Sequence, residues 1–218
     1  MNRMKTIAIF DMDGTLIDSG LDITLSINHV RAECYGLEPL SVRSVVDAIN
    51  APVRNLSEIF YGKLIYEECA RELFEEHYYD QCIRHVTPYA GIREVLNEFR
   101  ENGIEMGVAT NAPSIFAKRM LGHLGLDFHF SLIIGADNVE TPKPHPQMLY
   151  RHLEHHAYRS GIDNAWMIGD NSKDMEAASR AGISSIFAGW GFSSEGSGDH
   201  FAASPQSLAE IIYKKELL

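Results

Sequence analysis

Five short, largely apolar runs constrain the fold of this chain most. They are Thr6–Phe10 (TIAIF), Ile104–Ala109 (IEMGVA), Ser131–Gly135 (SLIIG), Ala165–Gly169 (AWMIG) and Ser184–Ala188 (SSIFA). A strand covered on one face alternates apolar and polar residues, whereas a continuous apolar run suits a strand buried on both faces. Helical patterns lie between the runs. Ile92, Val95, Leu96 and Phe99 recur at helical spacing, and Gly103 is placed to stop that helix. Pro113–Leu124 and Pro146–His156 each begin with a proline, which a first helical turn tolerates. Ser172–Ala181 ends at Gly182, and Leu208–Tyr213 reads as a last amphipathic helix. Strand and helix alternate, which predicts an α/β fold built on a doubly wound parallel sheet.

One interval breaks the alternation. Far more residues separate Phe10 from Ile104 than the dozen or so that a βαβ crossover needs. Residues 21–86 carry no strand pattern, only helical ones at Ile23–Tyr35, Val42–Ile49, Leu56–Phe60 and Tyr66–Ile83. We therefore expect an all-helical domain inserted over residues 17–86, with residues 1–16 and 87–218 forming the core. A length of 218 residues suits one large domain, or one domain plus an insertion. Residues 189–200 (GWGFSSEGSGDH) read as a loop.

A formal net charge of −11 argues against nucleic acid or an anionic membrane as the main partner. An anionic substrate would have to meet a local cation. The apolar stretch near the N-terminus is too short for a signal peptide, and no run approaches membrane-spanning length. Cys34, Cys69 and Cys82 are odd in number and show neither CxxC nor zinc-type spacing. They read as free thiols in a reducing compartment, so we expect a cytoplasmic protein.

In an open parallel sheet, ligands bind at the carboxyl ends of the strands. The residues just after each run are therefore informative. Asp11 and Asp13 come after the first run, and Thr110 and Asn111 after the second. Lys143 lies in the loop after the third, and Asp170 and Asp174 come after the fourth. Singly, each has a structural explanation as a turn, cap, solvated or first-turn residue. Together they place two carboxylate pairs, a hydroxyl and a lysine on one edge. Like charges one residue apart repel and raise each other's pKa, so the Asp11/Asp13 pair calls for a cation or a reaction. The set suits phosphoryl transfer. A phosphate monoester is a dianion, and a carboxylate nucleophile needs that repulsion cancelled. Mg²⁺ held by Asp11 and Asp170 would do so, Lys143 adds positive charge, and Thr110 with nearby N–H groups can bind phosphate oxygens.

The segments Asp11-Met-Asp13-Gly-Thr15, Thr110-Asn111, Lys143-Pro and Gly169-Asp170-Asn-Ser-Lys-Asp174 resemble the four motifs of the haloacid dehalogenase-like hydrolase superfamily. The helical insertion resembles that family's cap, set beside a Rossmann-like core. Within the family the chain looks most like the phosphoglycolate phosphatase-like branch, which the Trp190-Gly191 pair also resembles.

The resemblance implies a role for each matched residue. Asp11 would be the nucleophile, forming an aspartyl-phosphate. Asp13 would protonate the leaving oxygen and then serve as base toward water. Thr110 and Asn111 would bind the transferring phosphoryl, and Lys143 would bridge nucleophile and phosphate. Mg²⁺ would be held by Asp11, the Asp13 backbone carbonyl and Asp170, with Asp174 supporting it directly or through a neighbour. The loop Ile49–Arg54 would close over the site, with Arg54 contacting an anionic group of the substrate. The expected function is hydrolysis of a small phosphorylated metabolite, phosphoglycolate among the candidates. Neither nucleic acid nor membrane would take part, and the protein would be a monomer or homodimer. Two other readings stay open: a phosphomutase of the same superfamily, and a phosphorylation-dependent signalling domain. Receiver domains of the latter kind place their phosphorylated Asp later in the chain and lack the insertion. The histidines His145, His152, His155 and His156 read as a helix face rather than a metal site.

Overall fold

The computed structural model describes residues 4–51, 55–193 and 195–216. It divides the chain into two compact units, Met1–Ile17 with Pro88–Leu218, and Asp18–Thr87. The elements run β1 (Thr6–Phe10), β2 (Ile17–Asp18), then α1 (Gly20–Tyr35), α2 (Val42–Asn50), α3 (Leu56–Tyr61) and α4 (Glu68–Gln81). After β3 (Thr87–Pro88) come α5 (Ile92–Glu101), β4 (Glu105–Ala109), α6 (Ser114–His123), β5 (Leu132–Ile134) and α7 (Gln147–His155). The chain ends with β6 (Asn164–Gly169), α8 (Ser172–Ala181), β7 (Ser184–Ala188), β8 (His200–Ala202) and α9 (Ser207–Glu216).

The first unit is a six-stranded sheet in the order β5-β4-β1-β6-β7-β8. Every neighbouring pair is parallel. All five residues of β1 are buried, as its unbroken apolar run requires. Phe10 stands opposite Val108 on one side and Ile168 on the other. From β1 the chain builds outward through β4 and β5, then returns to build the other half from β6. The reversal point is β1, the place where open α/β sheets form their ligand crevice.

Side chains from β1 divide between two layers. Ile7 and Ile9 join Met167, Met148 and Leu149 of α7, and Ala177 and Ala178 of α8. Phe10 meets Phe99 of α5 and Phe130, with ring centroids 6.4 and 6.2 Å apart.

Two local readings of the sequence need correction. His200, read as the end of a loop, begins β8, which pairs in parallel with β7 from Ile186↔His200 onward. A three-residue edge strand beside a Gly- and Ser-rich stretch has too few residues to show a pattern. The histidines read as one helix face also divide, His145 and His155 being exposed and His152 and His156 buried. His152 is fully buried and donates from Nε2 to the Val108 carbonyl at 3.0 Å. Gly107 makes room for it, because a Cβ there would lie 2.4 Å from the imidazole. His156 is also buried, with Nδ1 2.7 Å from Glu105 Oε2.

The second unit, Asp18–Thr87, has its own apolar core. Ile27 and Val30 of α1, Val45 of α2, Phe60 and Tyr61 of α3, and Ala70 of α4 form it. Gly36 ends α1 in the left-handed conformation, and the last carbonyls of the helix accept from the N–H groups of Gly36 and Leu37. The buried Asp22 carboxylate accepts from Gln81 Nε2 and His85 Nδ1 at 2.7 Å each, and from the His85 N–H at 3.0 Å, so its desolvation is offset. Among the described residues no helix is long and apolar enough to cross a membrane.

Candidate active site

The sheet register brings the residues of interest together. Asp11 comes directly after β1, Thr110 after β4 and Asp170 after β6, and these three strands are adjacent. The Asp11 N–H extends the ladder by one bond, donating to the Ile168 carbonyl at 2.8 Å. The chain then turns sharply, with the N–H groups of Leu16 and Ile17 donating to the Met12 carbonyl at 2.9 and 3.1 Å. Gly14 permits the turn with φ +81°, and a Cβ on it would lie 2.4 Å from Asp170 Oδ2. The loop after β7 closes on the same point. A Cβ at Gly191 would lie 2.0 Å from the Gly14 carbonyl oxygen. Trp190 Nε1 donates to the Thr15 carbonyl at 2.9 Å and holds the turn.

Lys143 is the hub of the charge arrangement. Its Nζ donates to Asp11 Oδ1 at 2.7 Å and to Asp174 Oδ1 at 2.5 Å, all three side chains being buried. Burial alone would lower the lysine pKa, but the two carboxylates outweigh it and hold the ammonium charged above its ordinary range. Asp174 also does structural duty at the start of α8. Its Oδ2 accepts from the Asn171 N–H at 3.1 Å, while Asn171 Oδ1 accepts from the Lys173 N–H at 3.1 Å. The helix cap is thus Asn171. Burial pushes Asp174 up to about 6, against the pull of Lys143.

Asp170 is held by neutral donors. Its Oδ2 accepts from the N–H groups of Phe192 and Ser193 at 2.8 and 3.2 Å, and its Oδ1 accepts from Thr15 Oγ1 at 3.3 Å. Burial, then repulsion from Asp11 and Asp174, pushes it up to about 8. One oxygen from each of these three acids lies within 4.8 Å of the others. Fully ionised, three buried carboxylates would exceed the one ammonium by two negative charges, which is why Asp170 and Asp174 hold their protons more tightly than usual. That donor set fits a hard divalent cation with oxygen ligands. Asp11 and Asp170 would hold it, with the Asp13 carbonyl. Because Lys143 engages Asp174 Oδ1, the evident part of Asp174 is to hold the lysine.

The other expected residues divide. Thr110 is buried, and its Oγ1 accepts from the Ala112 N–H at 3.1 Å, with no acceptor for its own proton among the described residues. Asn111, expected to bind the phosphoryl, directs its side chain elsewhere. Its Nδ2 donates to the Lys143 carbonyl at 2.8 Å, and its Oδ1 accepts from the Lys143 N–H at 3.0 Å. This reciprocal pair fixes the backbone that carries Lys143, so the Asn111 side chain is a positioning group. Asp13 is half-buried two residues after Asp11, bridged to Ile17. Arg54 lies outside the described residues. Thr15 and the N–H groups of Phe192 and Ser193 were not anticipated. The tripeptide Gly189-Trp190-Gly191 just before Phe192 marks a close-packed loop but does not name the donors.

Comparisons with known proteins converge on one family. Residues 8–188 match the haloacid dehalogenase-like hydrolases. The phosphoglycolate phosphatase of Aquifex aeolicus (strain VF5) is 33% identical over 186 residues, 85% of each chain. The N-acetylmuramic acid 6-phosphate phosphatase of Pseudomonas aeruginosa is 30% identical over 198 residues, 88% of this chain and 85% of that one. Among solved structures, a predicted phosphoglycolate phosphatase from Haemophilus somnus 129pt superposes with a TM-score of 0.80. It is 22% identical, covers 97% of this chain and 99% of its own, and shows the shared fold.

Proposed function

This chain belongs to the haloacid dehalogenase-like hydrolases, and from that premise we propose that it cleaves a small phosphate monoester, with Mg²⁺ bound, through a phosphorylated Asp11. The observation that carries this is the buried cluster of Asp11, Asp170 and Asp174, with the Lys143 ammonium bridging two of the three. When bound, Mg²⁺ supplies positive charge to the phosphate oxygens and to the crowded carboxylates.

The protein's own groups perform the transfer. Lys143 orients the Asp11 carboxylate and sets a fixed positive charge beside the incoming dianion. Thr110 Oγ1 donates to a phosphate oxygen. An Asp11 oxygen attacks phosphorus as the bond to the ester oxygen breaks, and Asp13 gives that oxygen its proton. Asp13, now a carboxylate, takes a proton from water. The water oxygen bonds to phosphorus, the Asp11–phosphorus bond breaks, and inorganic phosphate leaves. One group serving as acid and then base is a consequence of reversibility, and the covalent intermediate divides a difficult step in two.

Both named relatives act on an ester that also carries a carboxylic acid. We assign Arg54 to such a second anionic group. The substrate is then a small phosphorylated metabolite of the cytoplasm, and no nucleic acid or membrane is involved. The deciding experiment is a screen of phosphate esters for phosphate release, with Mg²⁺ and with chelator. We expect release from carboxylated esters only with Mg²⁺, and Arg54→Ala should weaken the preference for them. Isomer formation in place of free phosphate would mark a mutase. A long-lived phosphoprotein without turnover would mark a signalling domain.

A further inference from the structure

Each oxygen of the Asp170 carboxylate is held by a different segment of the chain. Oδ1 accepts from Thr15 Oγ1 at 3.3 Å, in the turn after β1. Oδ2 accepts from the N–H groups of Phe192 and Ser193 at 2.8 and 3.2 Å, in the loop between β7 and β8. The Trp190 indole joins the two segments, donating from Nε1 to the Thr15 carbonyl at 2.9 Å across 175 positions of the chain. Thr15 is buried and Trp190 half-buried. Close packing fixes the backbone on either side of the indole. The Gly189 N–H donates to the Ala202 carbonyl of β8 at 2.9 Å, and a Cβ on Gly189 would lie 2.3 Å from the Phe201 ring. A Cβ on Gly191 would lie 2.5 Å from Asp170 Cβ. A large side chain thus stands between two positions that leave no room for one.

The plainest role for the indole N–H is to satisfy a buried carbonyl. Any buried carbonyl would serve for that. The one that accepts here belongs to the residue whose hydroxyl holds Asp170 Oδ1, and the indole comes two residues before the first donor to Oδ2. We propose that Trp190 is a positioning residue: its N–H fastens the loop after β7 to the turn after β1, and so fixes both oxygens of Asp170 in the orientation that receives a divalent cation. This rests on the reading of Asp11 and Asp170 as the carboxylates that hold Mg²⁺. A carboxylate already fixed in its binding orientation gives up little side-chain freedom when the cation arrives. Its neighbours therefore raise affinity without touching the metal. Without the indole bond, the donors to the two oxygens no longer move as one.

The coupling runs both ways. If the bond strengthens metal binding by some factor, bound metal must hold the bond closed by the same factor. The indole hydrogen exchanges with water only when the bond opens, so its exchange rate reports that factor in the unaltered protein.

The test is a calorimetric Mg²⁺ titration of the full chain, as wild type and as Trp190→Phe, which keeps an aromatic ring and removes the N–H. The variant's Kd should rise about tenfold, the lower end of what losing an outer partner of a metal ligand costs. The Mg²⁺ concentration for half-maximal phosphate release should rise by the same factor. Thermal melts in chelator measure the structural cost separately. Equal Kd values, whatever the melting temperatures, would overturn the inference and leave the proposed function standing. Failure of the wild type to bind Mg²⁺ would overturn both. Should Trp190→Phe not fold, NMR of the wild type decides. Its two tryptophans are Trp166 and Trp190, and Trp166→Phe assigns their indole signals. Saturating Mg²⁺ should slow exchange of the Trp190 indole hydrogen about tenfold. An exchange rate that Mg²⁺ leaves unchanged would overturn the inference.

Discussion

Lys143 Nζ stands 2.7 Å from Asp11 Oδ1, and the two residues are 132 positions apart in the chain. Only the order of the strands brings them together. Removing the ammonium leaves buried carboxylates unpaired. Lys143→Met should therefore lower kcat/KM by about 10²–10³-fold. In chelator it should also unfold about 3 kcal/mol more easily, and Mg²⁺ should recover part of that loss. Lys143→Arg should not rescue activity, because the fork of a guanidinium does not fit a site built around one bridging nitrogen. Steady-state kinetics and urea melts, each with and without Mg²⁺, check this.

The metal should compete with protons. Asp170 is pushed up to about 8 and Asp174 to about 6. A cation can bind Asp170 only as its proton leaves. The apparent Mg²⁺ affinity should strengthen from pH 6 to pH 8, by about tenfold per unit at most for each proton released. Ca²⁺ should occupy the site and inhibit, since it takes more ligands at longer distances. Calorimetric titration at several pH values would refute this if the affinity were flat.

Asp11→Asn and Asp13→Asn should fail in different ways. Without Asp11 neither phosphoenzyme nor product should form from any ester. Without Asp13 an alkyl ester should stall, because its alkoxide leaves poorly without a proton. An activated aryl ester needs little such help, so the Asp13→Asn protein should accumulate aspartyl-phosphate and hydrolyse it slowly. Rapid-quench kinetics should show a burst of phenol ahead of phosphate. Appreciable turnover by Asp11→Asn would remove the roles given to both acids.

His152 ties stability to pH. Its Nε2 faces a carbonyl and so carries the hydrogen, while the buried Nδ1 has no partner among the described residues. Burial pushes the imidazole down from 6.5 to about 4. A depressed histidine favours folding above its unfolded pKa. That contribution should be complete above about pH 6.5, fall as the pH drops toward 4, and total about 3 kcal/mol. Asp170 and Asp174 titrate in the same window with the opposite sign, so the readout is the difference between wild type and His152→Gln in urea melts, which should shift against wild type between pH 7.5 and pH 5. Gly107→Ala should cost about 2 kcal/mol at either pH, because its methyl would strike the imidazole.

The sheet and the strand-end residues were legible for one reason. A strand buried on both faces leaves an unbroken apolar run, and the first residues beyond each run share one edge of the sheet. The boundaries of β1, β7 and α8 match the sequence reading for that reason. The illegible features depend on partners far along the chain. Nothing near Asn111 shows that its amide will pair with the backbone of Lys143. The donors to Asp170 from Phe192 and Ser193 are backbone N–H groups, which no side-chain pattern reveals. The burial of His152 was not legible because the space it fills is created by the missing side chain of Gly107.

The Tyr89 N–H donates to the Leu16 carbonyl at 3.2 Å. The chain thus leaves the first unit beside the point where it returns, and that unit ties the two ends together by its own hydrogen bond. Seen from the sheet, everything from Asp18 to Thr87 is one closed loop whose mouth is already fastened. The entropy of closing such a loop grows only with the logarithm of its length, about 0.6 kcal/mol for each doubling. The sheet and the residues at its strand ends are therefore almost indifferent to how much chain is grafted at this point. Lengthening, trimming or exchanging that segment is a change the sheet can absorb without being rebuilt.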